Sequence, residues 1–393
     1  MTRIYTDWTN SVSKVHKIAI AVFDLAEAGG IERDAARVAR ALIDRGHDVR
    51  LFSTSAGPLA EGIPTTILPA RGLTNHSRMA TFANDLEVID RRKQLVVGFQ
   101  KLTGLDVLYC GDWCFTERPL PFWKRLLPRY RVMRRLEGAC YGPRSNTVRL
   151  MLSQPQADAY RRAWSIAPER MVVLPPTLDP RRLLASPTEC ERLELRRSLG
   201  VKEGQSAWLW IGLQPKVKGL DRAITALSLV PDALLVVAGV DPMQKWARRM
   251  FEEAGRRGCR DRILPVGRVD HSMLDRLFGA CDLLVHPARL DVTGTVIVEA
   301  LAAGLPVITT ATCGYAVHVS ASGAGIVLPP DASASMIAEA AVASKYKRAS
   351  FSKLAHGYVG KTELTTGIHH AATRIEEFAN RGSALPLETA SGR

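Results

Sequence analysis

The stretch HPARLDVTGTVIVEALAAGLPVITT, residues 286–310, decides the fold, because it joins a strand end, a loop, a helix and a second strand. It follows the apolar run DLLV, and its last part, LPVITT, is β-branched like another strand. The helix is expected from about Thr293 to Ala303, closed by Gly304. Ile297, Val298 and Leu301 suit a core-facing side; Glu299 shares its face with the small Thr295 and Ala303, so its carboxylate should look outward. Asp291 sits in the loop, and Thr293-Gly294-Thr295 opens the helix. A helix N-terminus gathers backbone N–H groups and about half a positive charge, so it attracts anions. A diphosphate at this tip, a sugar at Asp291 and a ribose at Glu299 would use all three features. The competing reading is an Asp that caps the helix and a Glu in solvent.

Working outward, short β-branched runs alternate with helical segments, the pattern of parallel sheets with crossover helices. KIAIAVF (17–23), DVRLFS (48–53), QLVVGF (94–99), LDVLYC (105–110) and VRLMLS (148–153) read as strands of one domain. Gly29-Gly30 opens the first helix, whose apolar face is Ile31, Ala35, Val38 and Leu42. A charged, Pro-bearing stretch between MVVLPPTLDP (171–180) and AWLWIGL (207–213) reads as the domain connection, after which AWLWIG, ALLVVAG, RILPVG, DLLVHP and LPVITT repeat the alternation. Two doubly wound domains are expected, 1–180 and 181–360, with a C-terminal helix and tail over 361–393. Ligands of such sheets bind beyond the carboxyl ends of the strands, so two facing domains would form a cleft. The first fifteen or so residues and the final ALPLETASGR read as disordered.

With 393 residues, the chain is long enough for two such cores. Its apolar run near the start is too short to span a bilayer and contains Asp24, so neither a membrane span nor a secretory signal is supported, and a cytoplasmic protein is expected. The seven cysteines have no paired spacing, and Cys110/Cys114 lacks companions for a zinc site. A net charge of +14 calls for an anionic partner or substrate without choosing among nucleic acid, membrane and phosphorylated molecule.

LDVTGTVIVEALAAGLPVITTATCGY (290–315) resembles the donor-binding loop of the retaining family 4 glycosyltransferases of the GT-B fold, which carries two glutamates separated by seven residues. The similarity covers most of the chain and points to the lipopolysaccharide core heptose glucosyltransferases (glucosyltransferase I). GGIERDAARVARALIDRGHDVRLF (29–52), TNHSRM (74–79), VVGFQKLTGLDVLYCGDWCF (96–115) and TTATCGYA (309–316) carry it. The resemblance implies two Rossmann-like domains facing across a cleft, an N-terminal one for the acceptor and a C-terminal one for a nucleotide sugar. It implies no cofactor beyond that donor, expected to be UDP-glucose, and transfer of a hexose to a heptose of the inner core with retained configuration. A nucleotide-sugar epimerase of the same fold and a catalytically weak sugar-binding scaffold are the rival classes.

Residue by residue, the resemblance gives Glu299 to the donor ribose and Asp291 to the transferred sugar, although aspartate is one methylene shorter than the family glutamate. In IGLQPKVKGLDRAI (211–224), Lys218 matches the family lysine on the diphosphate, but Val217 stands where an Arg is usual; Lys216 is the candidate substitute. Both lysines could be mere loop charges, but Gly219 and a following helix at a strand end favour phosphate binding. Arg268, after RILPVG, could border the base or be a plain exposed charge. Gly29-Gly30 would let backbone approach the donor phosphate and the acceptor. Asp34 is either an acceptor-side carboxylate or a first-turn partner of the helix dipole. Asp112, in YCGDWC, would orient or deprotonate the acceptor hydroxyl, a turn-forming Asp being the competitor. No Asp-x-Asp pair occurs, so metal-independent chemistry is expected, with helix tip and Lys stabilising the leaving diphosphate.

RPLPFWKRLLPRYRVMRRLEGACY (118–141) interleaves aromatic and basic residues near helical spacing, with Pro128 expected to bend or interrupt it. It suits an anionic inner-membrane surface; a core-packed helix with a basic solvent side is the alternative. No nucleic-acid-binding signature accompanies the charge.

Overall fold

The computed structural model describes residues 14–26, 29–118, 120–183 and 188–381; nearly all of both ends expected to be disordered falls outside that description. Strands β1 (Lys17–Ala21), β2 (Asp48–Ser53), β3 (Thr65–Ile67), β4 (Leu95–Gly98), β5 (Val107–Cys110), β6 (Val148–Met151) and β7 (Met171–Val173) form one sheet in the order β3-β2-β1-β4-β5-β6-β7. Strands β8 (Ser206–Ile211), β9 (Ala233–Ala238), β10 (Ile263–Gly267), β11 (Leu283–His286), β12 (Val307–Thr310) and β13 (Gly325–Leu328) form a second, in the order β10-β9-β8-β11-β12-β13. Both sheets are parallel, as the alternation of runs and helices requires.

Helices cover both faces of the second sheet, which explains its unbroken apolar strands. Trp208, Trp210, Leu235, Val237, Leu283, Val285 and Ile308 pack on one side with residues of the helices Leu220–Ser228, Lys245–Arg256 and Ala334–Tyr346. Leu209, Val236, Leu284 and Val307, the alternate positions, pack on the other with the helices His271–Ala280 and Thr295–Ala302.

The chain divides into two compact units, and the division departs from a single cut near residue 180 in two places. Leu152–Asp158 goes with the second unit, whose main body is Pro175–Gly367. Residues 368–381 return to the first. There the C-terminal helix Gly367–Arg381 is tied down by polar contacts: Arg45 donates to Thr373 Oγ1 (3.1 Å) and Glu376 Oε2 (3.0 Å), and the His47 ring meets Glu376 Oε1 at 3.1 Å.

Strand order reverses between β1 and β4 in one sheet and between β8 and β11 in the other. Loops at the carboxyl ends of these strands are where such folds bind ligands. They carry Gly29-Gly30 in the first unit, and Lys216, Lys218 and Asp291 in the second.

Candidate active site

The loop after β8 runs to Gly219, which caps the helix Leu220–Ser228 in the left-handed region at φ 75°. A Cβ there would stand 2.1 Å from the carbonyl oxygen of Pro287, so glycine alone lets the loops after β8 and β11 touch. Arg289 then clips them together. Its backbone N–H donates to Val217 O (2.8 Å), and its guanidinium donates to Lys216 O (2.7 Å) and to both oxygens of Asp221 (2.8 and 2.7 Å). Gly219→Ala is expected to destabilise the second unit by about 2–4 kcal/mol, since the strained dihedral and the overlap add. Denaturant unfolding checks this; a loss below about 1 kcal/mol would mean that the two loops can part freely.

This clip sets Lys218 against Asp291. Lys218 Nζ lies 2.7 Å from Asp291 Oδ2, and His286 Nε2 lies 2.8 Å from the same oxygen. Burial alone would raise the Asp291 carboxyl, but the hydrogen bond from His286 and the nearby Lys218 charge hold it below the usual range. Burial likewise disfavours a charged His286, yet Asp291 and the Cys313 thiol together outweigh it and bring the imidazole up to about 9. Backbone bonds fix the loop: Gly314 N–H donates to Asp291 O (3.0 Å), Tyr315 N–H to Thr293 O (2.7 Å) and Ser153 Oγ to Val292 O (2.6 Å).

The helix begins at Thr295, later than the sequence suggested, with Gly294 as its cap at φ 77° and no side-chain cap. Asp291 is therefore not the capping residue; its carboxylate turns to Lys218 and His286. A Cβ on Gly294 would lie 3.6 Å from Asp291 Oδ2, which puts the helix tip beside the carboxylate. Thr293 and Thr295 hydroxyls are 3.3 Å apart at that tip. Glu299 is partly buried, 3.9 Å from the Arg182 guanidinium, which is itself tied to Asp275 and His271. Lys216 and Val217 are exposed, and no Arg stands at 217. Arg268 is exposed at the end of β10 and takes no part in the Lys218–Asp291 group.

In the first unit, Gly29 caps the helix Gly30–Asp44. Burial, with smaller contributions from Asp24 and Asp112, raises the Glu32 carboxyl, so these acidic groups are neighbours. Asp34 accepts from the Tyr109 hydroxyl at 2.7 Å and pairs with Arg37 at 3.6 Å, contacts beyond a plain dipole partner. Asp112 is exposed in a bend after β5, and its carbonyl accepts from the Tyr160 hydroxyl and the Cys110 thiol, both at 3.4 Å.

Behind this bend lies Glu137, fully buried and missed by sequence reasoning because it lies within a basic, aromatic segment. Its carboxylate accepts from Phe115 N–H (2.6 Å), Thr116 N–H (3.0 Å), Thr116 Oγ1 (2.6 Å), Trp164 Nε1 (3.2 Å) and Lys101 Nζ (3.0 Å). Lys101 also donates to Trp113 O at 3.2 Å. The loop that carries Asp112 is thus fastened to the helix Pro128–Tyr141.

Pro128 is the first residue of that helix, and a 3₁₀ turn, Phe122–Leu126, precedes it, so the expected interruption occurs. Leu136, Cys140 and Tyr141 are buried, whereas Phe122, Trp123, Leu126 and Leu127 are exposed among Lys124, Arg125, Arg129 and Arg131. Core packing accounts for the second half of the segment only. Among the described residues no helix is long and apolar enough to cross a membrane.

Residues 191–345 match the family model of the glycosyl transferases group 1. The lipopolysaccharide glucosyltransferase WaaG of Escherichia coli K12 is 34% identical over 326 residues, 79% of this chain and 84% of that protein. The crystal structure of WaaG, a glycosyltransferase involved in lipopolysaccharide biosynthesis, superposes with a TM-score of 0.82 at 30% identity, covering 91% of this chain and 99% of the other. Anabaena Alr3699/HepE, solved with UDP-glucose, shares the fold at a TM-score of 0.71 and 18% identity, over 93% of this chain and 99% of that one. The chain belongs to the group 1 glycosyl transferases and is a glycosyltransferase of the GT-B fold.

Proposed function

We propose that the enzyme transfers glucose from UDP-glucose to a heptose of the lipopolysaccharide inner core, with retained configuration, no metal ion and no cofactor beyond the donor. The observation that carries the donor half is the meeting of Lys218, Asp291 and a glycine-capped helix tip at the strand-order reversal of the second sheet. The first N–H groups of a helix lack intrahelical partners and favour an anion, and Lys218 adds a full charge beside them. Glu299 then takes the ribose, and Asp291 the sugar. Lys216 and Arg268 are outlying charges that raise the local concentration of the donor. On the acceptor side, Asp112 orients or deprotonates the attacking hydroxyl, with Gly29-Gly30 in the loop after β1, two strands away in the same sheet. Similarity to the lipopolysaccharide glucosyltransferase supports glucose and the heptose acceptor.

The exposed aromatic and basic face over 120–135 would dock the enzyme on the anionic cytoplasmic surface of the inner membrane. Co-sedimentation with anionic but not neutral vesicles is expected; equal behaviour with both would remove this part. None of the relatives named above is an epimerase, and that reading is not carried further.

A panel of nucleotide sugars with purified heptosylated lipid, following transfer and donor hydrolysis, tests the whole. Glucose on the acceptor only when both substrates are present is the expected result. Donor bound without any transfer would instead indicate a sugar-nucleotide scaffold. Glu299→Ala should weaken donor binding by about tenfold through loss of its hydrogen bonds to the ribose. Asp112→Asn should lower kcat at least about tenfold with donor binding unchanged. Equal, negligible effects from both substitutions would contradict the assignment.

A further inference from the structure

His286 is 1% exposed and ends β11; its ring is hydrogen-bonded through Nε2 to Asp291, with the Cys313 thiol beside it. Its Nδ1 is buried with no hydrogen-bond partner among the described residues. A side chain that only filled this space would be better as leucine, because burying an imidazole costs free energy that its contacts must offset. The contact falls on the very oxygen that holds Lys218, and it exists because the carboxylate at 291 is an aspartate's. A side chain one methylene longer would carry its oxygens further from the strand end. Asp291 Oδ2, with a donor on each side at 2.8 and 2.7 Å, is fully used as an anchor and is left with no capacity for a sugar hydroxyl.

We propose that His286 is a positioning residue for the donor diphosphate: through Asp291 it holds the Lys218 ammonium where the terminal phosphate is neutralised. The proposal rests on the donor reading above. It changes the role of Asp291 from sugar reader alone to sugar reader and mount, with Oδ1 left for the hydroxyl. It also explains how one lysine serves where Val217 removes the usual Arg: a point charge on a flexible stem gains from being held in place. The charged and titratable groups around the ring are Asp291, with Lys218 beyond it, and the Cys313 thiol, whose own ionisation is favoured by His286 against burial.

The test compares the binding of UDP and of UMP, which lacks the terminal phosphate, to the full chain by calorimetry. His286→Leu should weaken UDP by about tenfold and leave UMP within about twofold. His286→Gln, whose amide can still donate to Asp291, should keep UDP within about threefold of the parent. If His286→Leu does not fold, Asp291→Asn takes its place and should show the same selective loss. Equal losses for UDP and UMP, or none for either, would overturn the proposal while leaving the donor reading intact. A parent chain that bound neither nucleotide would overturn the donor reading and this proposal with it.

Discussion

Lys218→Ala should lower kcat/KM for transfer about a thousandfold, with the fold retained. Removing one well-placed donor to a developing charge costs about 3–4 kcal/mol, and here nothing nearby can take over. Val217 leaves no neighbouring guanidinium, and that of Arg289 is tied to Asp221 and to Lys216 O. Asp291 would keep His286, so the loop should stay closed over the same backbone bonds. Lys218→Arg should restore little, because a planar fork cannot occupy the site of a compact ammonium 2.7 Å from Asp291. Steady-state kinetics with UDP-glucose and heptosylated acceptor, read beside the thermal midpoint, checks the prediction. A loss smaller than about tenfold would mean that the helix tip alone carries the diphosphate.

The second large effect is on stability. Glu137→Ala should destabilise the first unit by about 3–5 kcal/mol, because it leaves Lys101 buried without its ionic partner. It also orphans the N–H groups of Phe115 and Thr116 and the indole of Trp164. A drop of about 10 °C in thermal midpoint is expected for a unit of this size. Glu137→Gln should fall between the two, and both variants should lose transfer through the freed Asp112 loop while binding donor normally. Burial pushes the Glu137 carboxyl up, but Lys101, the Thr116 hydroxyl and the Phe115 N–H outweigh it and bring it below 4.5. A depressed carboxyl gives stability that is present above 4.5 and is lost as pH falls through the folded value. Lys101 is shifted the other way: burial lowers it, Asp112 and Glu137 more than offset this, and its contribution is present below 10.5 and lost as pH rises further. The acid sensitivity of the parent in this range should be weaker in Glu137→Gln. An alanine variant as stable as the parent would show that Lys101 finds another counter-ion.

Interior strands were legible in the sequence, as was the five-residue edge strand β10, whereas the shorter edge strands were not. The runs read as strands correspond to β1, β2, β4, β5, β6 and β8 to β12. The ones not read, β3, β7 and β13, are edge strands of three or four residues. An edge strand is paired on one side only, and these three are too short and too partly exposed to form an apolar run. In the candidate site, Lys218, Asp291 and the glycine-capped tip were readable because each lies in one loop with a local signature. His286 was in view as a strand-ending histidine, but its bond to Asp291 depends on a bend between them that no spacing rule encodes. Arg289 and Arg182 act across loops distant in the chain, on residues 216–221 and on Glu299. Glu137 gave no signal, because a lone acid among arginines normally reads as a helix-surface charge.

The C-terminal helix has a consequence for how the molecule is made. Residues 175–367 of the second unit are continuous, whereas the first unit needs the helix Gly367–Arg381, where Glu376 engages both Arg45 and His47. On a ribosome, where domains generally fold as they emerge, the half synthesised first must therefore wait for a helix translated after the main body of the second unit. The nascent first unit would leave the buried His47 ring without its acid until Glu376 has emerged. A stop codon that spared the entire second unit would still leave the first one unfinished.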